Sequence, residues 1–259
     1  MKQLFLSSMT DLEEIHDFQP GVWINLVNPS QSESMEIAEH YNIDIADLRA
    51  PLDAEERSRI EVEDDYKLII VDVPISEERN NKTYYITIPL GIILTNDAII
   101  TTCLEKLPLF EQFIHNRLRN FYTFMRTRFV FQILYRNAQL YLSALRNIDR
   151  KSEELEGHMH GATRNEELIA LMELEKTIVY FKASLKTNER IVKKLATSSS
   201  LLRKYEEDDD LLDDTLVETQ QAIEMADIYE NILNAMMETT ASIINNNHPI
   251  LTKLVPECS

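Results

Sequence analysis

The chain has 259 residues, 44% of them hydrophobic, so it can bury a sizeable core and is not disordered. Its 26 basic against 44 acidic residues give a formal net charge of -18, which argues against nucleic acid as a partner and favours cations as ligands. The two cysteines, Cys103 and Cys258, fit neither a disulfide framework nor a zinc site, which favours a reducing, cytosolic setting. No stretch approaches the roughly 18 apolar residues of a membrane span, so we expect the given chain to be soluble.

The first hundred residues carry the pattern of a small α/β domain. Short β-branched runs bounded by turn residues predict strands at 23–27, 67–73, 84–94 and 98–103. Asn80-Asn81 and Asn96-Asp97 are typical of turns between the later strands. The sequence therefore predicts a mixed β-sheet with flanking helices.

A helix is predicted between the first two of these strands. Ser30 and Glu33 have the spacing of a capping box, which indicates a helix from there through about Tyr41. We expect this helix to bury three apolar side chains, Met35, Ile37 and Ala38.

The rest of the chain reads as long helices. Residues 109–248 contain no proline, which would cost about 3 kcal/mol inside a helix, and their apolar residues recur at helical spacing. Turns near 157–161 and 198–200 would fold this run into long antiparallel helices. We predict an α/β domain at 1–104, a long-helix region at 105–247 that includes the start of a stalk helix, and a tail at 248–259 whose origin, truncation or added residues, stays open.

Two helical stripes are expected to pack. The first has a single polar position, Asn188, and consists of Leu171, Leu174, Ile178, Phe181, Leu185, Val192 and Leu195. The second, on the last helix, consists of Ala222, Met225, Ala226, Tyr229, Ile232, Leu233, Met236 and Ile243.

An acidic cluster precedes the last helix. Residues 206–214 include seven carboxylates among nine residues, and a divalent cation would relieve their mutual repulsion. The alternative is a solvated run at a helix start, where acids favour the helix dipole.

Other motifs favour structural roles. His158-Met159-His160 lies between two glycines without a third ligand, which favours a surface turn over a transition-metal site. Basic residues interleaved with aromatic ones (Arg117, Arg119, Phe121, Tyr122, Arg126, Arg128 and Phe129) are expected to pair with carboxylates across the helices rather than with nucleic acid. No phosphate-binding loop and no catalytic motif occurs, so we expect neither an enzyme nor an organic cofactor.

Several segments, in this order, resemble one known family. They are Trp23-Ile24-Asn25-Leu26, Asn42-Ile43-Asp44, the stretch 57–62 leading into 65–70, the hairpin ending at 94–101, and the long helices. Together they are similar to the cytosolic portion of the CorA magnesium transporters, although the chain contains neither the Gly-Met-Asn signature of that family nor a membrane helix. The resemblance implies a cytosolic regulatory, ion-sensing domain of a transporter of Mg²⁺ or another divalent cation, truncated before its membrane helices.

The resemblance also implies partners and a location. It implies a homo-oligomer, a pentamer in the intact protein, that sits at the cytoplasmic face of the cell membrane and is attached through the missing C-terminal helices. The expected ion is Mg²⁺, with Zn²⁺ and Co²⁺ as alternatives.

The resemblance assigns candidate metal ligands residue by residue. The sensing aspartate of the family falls on Asp214, and Asp213 and Asp210 lie beside it. Its acidic partners on the neighbouring subunit fall on Arg49 and Ala50, which cannot bind a cation, so Asp47 and Asp53 are the substitutes nearby. The other functional hypothesis is a freestanding helical scaffold protein, which predicts a coding sequence that stops near Ser259.

Overall fold

The computed structural model describes residues 1–8, 11–79, 82–115, 118, 120–158, 164–198, 201–202 and 206–252. Its seven strands are β1 (Lys2–Ser7), β2 (Leu12–Ile15), β3 (Val22–Val27), β4 (Arg59–Val62), β5 (Tyr66–Arg79), β6 (Lys82–Thr95) and β7 (Ala98–Cys103). They form one sheet in the order β2-β1-β3-β7-β6-β5-β4. Neighbouring strands are antiparallel except β3 and β7, which pair in parallel with Trp23 opposite Ile99. The sheet is mixed, as predicted, and the four predicted strands are present.

The predicted capping box begins the first helix, α1 (Gln31–Tyr41). The backbone N–H of Glu33 donates to the Ser30 hydroxyl, and the Glu33 carboxylate accepts from the backbone N–H of Ser30. Ile37 and Ala38 are buried, but the prediction for Met35 was wrong, because this side chain is 46% exposed. Ser34 takes the buried position one turn before Ala38, which turns Met35 outward.

Five further helices follow α1. They are α2 (Ile45–Arg49), α3 (Glu111–Ile114), α4 (Arg126–His158), α5 (Arg164–Thr197) and α6 (Glu206–Thr252), with short 3-10 turns at Ala50–Leu52 and Pro108–Phe110. α4 ends at His158 and α5 ends at Thr197, close to the two predicted turns, of which residues 159–161 and 199–200 lie outside the described chain. Within the described residues, no helix is both long and apolar enough to cross a bilayer.

The two helical stripes pack largely as predicted. All seven apolar residues of the α5 stripe are buried. On α6, Ala222, Ala226 and Leu233 are buried, whereas Ile232 was predicted wrongly and is 42% exposed, because its neighbour Leu233 takes the inward position. The side chain of Ile243 lies outside the described part.

The sheet has helices on both faces. One face packs against α1 and α2, and the other packs against α4, α5 and the segment after β7. Trp23 is fully buried on the second face, where its indole N–H donates to the Thr101 hydroxyl at 2.9 Å. Phe113 and Phe129 both pack edge-on against its ring. This hydrophobic core contains residues from both sides of residue 104. The predicted boundary between two domains at residue 104 stays a prediction.

Candidate cation site and helix junction

The acidic start of α6 separates into buried and exposed carboxylates. Asp208 is 2% exposed, and its carboxylate accepts from Arg128 of α4 at 3.1 Å. This ion pair confirms, for Arg128, the prediction that the basic segment pairs with carboxylates across the helices; Arg117 and Arg119 lie outside the described residues. The side chains of Asp209, Asp210, Asp213 and Asp214 are exposed. They are therefore accessible to an ion or to another chain.

A second acidic group lies where α2 meets β4. Single carboxylate oxygens of Asp47, Glu61 and Glu63 all lie within 4.8 Å of one another. Asp47 and Glu61 are half-buried, and Glu63 is exposed. Three carboxylates so close repel one another, and oxygen ligands of this kind are those that Mg²⁺ and Ca²⁺ prefer.

Neighbouring side chains hold these carboxylates in place. The hydroxyl of the buried Tyr66 donates to Oδ2 of Asp47 at 2.5 Å, and Nε of Arg59 donates to Oε1 of Glu61 at 2.8 Å. Burial, and then the hydrogen bond to Asp47, raise the pKa of Tyr66. Tyr66 thus stays a neutral donor that orients Asp47.

The predicted metal ligands are only partly grouped. Among the described residues, the carboxylate of Asp47 lies close to those of Glu61 and Glu63, and neither Asp53 nor the α6 aspartates belong to this cluster. Asp53 instead accepts from the backbone N–H of Glu55 at 3.0 Å within its own turn. Whether any of the predicted ligands binds metal stays a prediction.

Arg49 forms hydrogen bonds within the chain. Its guanidinium donates to the Ser34 hydroxyl at 2.9 Å and to the Pro29 carbonyl at 3.4 Å. Ala50 lies beside it, half-buried, at the start of a 3-10 turn. Neither residue offers an oxygen ligand from its side chain.

Sequence reasoning missed Glu61 and Glu63. In Arg59-Ile60-Glu61-Val62-Glu63 the acids alternate with apolar residues, which is the period of a strand and places both acids on one face. That alternation could have indicated β4 and this acidic edge.

A polar junction ties α4 and α5 to the sheet at Asp72 of β5. The backbone N–H of Asp72 donates to Oδ1 of Asn188 at 3.1 Å, and Nδ2 of Asn188 donates to the Asp72 carbonyl at 2.8 Å. Asn137 and Tyr141 of α4 donate to the same carbonyl at 2.8 and 3.2 Å. The pairing of β4 with β5 ends at Ile70, so the Asn188 amide occupies the place of a neighbouring strand. This accounts for the single polar position in the α5 stripe.

The carboxyl group of Asp72 lies beside Ser184 of α5 and Ser58 of the loop before β4. Burial raises the pKa of this carboxyl above its usual value, while hydrogen bonds from the Ser184 and Ser58 hydroxyls act in the opposite direction. The ionised form is therefore disfavoured by its surroundings.

Comparison with known proteins gives consistent matches. The profile of the family described as CorA-like Mg²⁺ transporter protein matches residues 19–254. The cobalt/magnesium transport protein CorA of Methanocaldococcus jannaschii is 29% identical over 238 residues, which are 86% of this chain and 70% of that protein.

Solved structures show the same fold. The soluble domain of CorA from Methanocaldococcus jannaschii superimposes with a TM-score of 0.82 at 25% identity, covering 93% of this chain and 97% of that one. The complete CorA magnesium transporter from the same organism gives 0.82 at 22% identity, covering 98% and 81%. The ZntB cytoplasmic domain from Vibrio parahaemolyticus gives 0.72 at 12% identity, covering 94% and 98%. These matches confirm the predicted fold class.

Proposed function

Because the chain belongs to the family of CorA-like Mg²⁺ transporter proteins, we propose that it forms the ion-sensing, regulatory part of a divalent-cation transporter. The observation that carries the proposal is the family match, which spans residues 19–254. The relative named as a cobalt/magnesium transport protein supports Mg²⁺ as the first ion to test and Co²⁺ as the second. This part would face the cytoplasm and would act by binding ions, with no catalytic role.

The acidic groups are the proposed sensing elements. Mg²⁺ is small and hard and keeps several waters, so one or two carboxylates suffice to hold it. Asp47, Glu61 and Glu63 provide such a group at the edge of the sheet. Asp213 and Asp214 provide exposed carboxylates on α6. We propose that an ion bound between neighbouring subunits uses carboxylates from both places.

The outer face of α6 supports self-association. Val217, Ile228 and Ile232 are 61%, 56% and 42% exposed. Because they are 11 and 4 residues apart, these three side chains lie on one face of the helix, and Asp210 and Asp214 lie on the same face. A stripe that begins acidic and continues apolar suits a subunit interface with a cation site at one end, as in the expected pentamer.

Melting curves with and without millimolar Mg²⁺ test ion sensing. A ligand that binds only the folded state raises stability by RT ln(1 + [L]/Kd), so we expect Mg²⁺ to raise the melting temperature of the unaltered chain. Glu61→Gln and Asp214→Ala should each reduce that rise. Glu13→Gln on β2, an exposed acid outside both groups, is the matched control and should leave it unchanged. If Mg²⁺ does not change the melting temperature of the unaltered chain, the proposal is contradicted.

A further inference from the structure

A polar cleft of about 450 Å³ opens between the loop at residues 54–58 and α5. Its floor is formed by Asp72 of β5 and Thr87 of β6. Its walls include Ser58 and Arg57 on the loop side and Ser184, Thr187 and Arg190 on the helix side. The volume lies within the range of roughly 300–1,000 Å³ that is usual for small-molecule sites.

The floor of the cleft offers unused hydrogen-bonding capacity. A carboxylate has about four acceptor positions, and the Ser184 and Ser58 hydroxyls each occupy one of those on Asp72. The remaining positions on the carboxylate, and the oxygen of the buried Ser58 hydroxyl, can accept N–H donors from a ligand.

The rim of the cleft carries positive charge. Arg57 and Arg190 are exposed on opposite walls, and neither guanidinium forms an ion pair with a residue that the structure describes. The neighbouring Glu56 is instead paired with Arg59. In a chain with a net charge of -18, two arginines that face one cleft without a carboxylate partner are available to an external anion.

We propose that this cleft binds a small metabolite with an anionic carboxylate or phosphate at one end and amino N–H donors at the other. Guanidinium groups bind carboxylates and phosphates through paired hydrogen bonds, which suits Arg57 and Arg190 at the rim. The Asp72 carboxylate and the Ser58 hydroxyl accept N–H donors at the floor. Free amino acids and nucleoside monophosphates share this two-ended chemistry. This cleft is separate from the cluster of Asp47, Glu61 and Glu63, and the proposal does not depend on ion sensing.

Calorimetric titration of the full chain tests the cleft with three sets of probes: the free amino acids, the nucleoside monophosphates, and inorganic phosphate. We expect a member of the first or second set to bind, and the set identifies the source. Asp72→Asn and Arg190→Gln should each weaken that binding at least about tenfold, as expected for the loss of a charge-assisted hydrogen bond. Lys186→Gln, an exposed charge one turn before Arg190 that does not line the cleft, is the matched control and should change the Kd less than about twofold.

Three results would overturn the proposal. They are the absence of binding from both organic sets at millimolar concentration, binding that survives both substitutions, and inorganic phosphate binding as tightly as the best organic probe. Circular dichroism verifies that each variant is folded. If Asp72→Asn does not fold, Ser58→Ala tests the same end of the cleft, and unchanged affinity in that variant counts against the proposal.

Discussion

Replacing Asn188 by alanine tests the idea that a side-chain amide acts as a neighbouring strand for β5. The substitution removes the two hydrogen bonds between this amide and the backbone of Asp72, and each such bond contributes about 1 kcal/mol. The Asp72 carbonyl keeps Asn137 and Tyr141 as donors, but its N–H loses the acceptor that the structure provides. A buried donor left without a partner costs a further 1–3 kcal/mol or so. We therefore expect a loss of about 3–5 kcal/mol in the free energy of unfolding.

Urea unfolding measures this loss, and a second alanine variant corrects for helix propensity. Alanine favours a helix over asparagine by about half a kcal/mol, so Asn234→Ala, at an exposed position of α6, should be neutral or slightly stabilising. Asn188→Asp should be worse than Asn188→Ala, because a carboxylate oxygen would then face the Asp72 carbonyl. A difference below about 0.5 kcal/mol between Asn188→Ala and Asn234→Ala would refute the reasoning.

Three further substitutions probe the sheet and its buried groups. Thr101→Val leaves the indole N–H of Trp23 without its acceptor and should cost about 2 kcal/mol, measured by urea unfolding followed through the fluorescence of this single tryptophan. Gly91→Ala adds a methyl group that overlaps the ring of Pro51, so it should cost about 1–3 kcal/mol. Adding Pro51→Ala to this variant should restore part of the lost stability. If the losses from the two substitutions are additive, the overlap is contradicted. Burial raises the pKa of Asp72 above its usual 3.8, so the carboxyl contributes stability at low pH that is lost as the pH rises through the raised value. The melting temperature of Asp72→Asn should therefore rise relative to the unaltered chain as the pH increases from below the usual pKa of 3.8 to above the raised one, and a parallel pH profile for both proteins would contradict the linkage.

Local sequence patterns predicted the elements whose determinants are close together in the chain. The capping box at Ser30 fixed the start of α1, and the β-branched runs indicated four strands. The short strands β1, β2 and β4 were not predicted, because they have only four to six residues and few of these are buried, so they lack the apolar runs of the central strands. Met35 was placed inside because hydrophobicity alone does not show which side of an eleven-residue helix faces the sheet.

The candidate sites were less predictable than the fold. Asn188 stood out as a polar residue in an apolar stripe, but its partner Asp72 lies 116 residues earlier, beyond any local pattern. Asp47 was a candidate through the family resemblance, while Glu61 and Glu63 join it only because α2 and β4 meet in the folded chain. Tertiary contact, rather than residue type, decides which carboxylates lie together.

The single parallel pairing, β3 with β7, also bears on how the sheet assembles. Strands β5, β6 and β7 are consecutive hairpins, and β1, β2 and β3 form a second local set, so each set closes short loops. The two sets meet only where Val22–Val27 aligns with Ala98–Cys103, about 75 residues later in the chain. Closing a long loop costs more conformational entropy than closing a hairpin and slows folding. We expect the pairing of β3 with β7 to be the last part of the sheet to form. During synthesis, it can form only after β7 has left the ribosome.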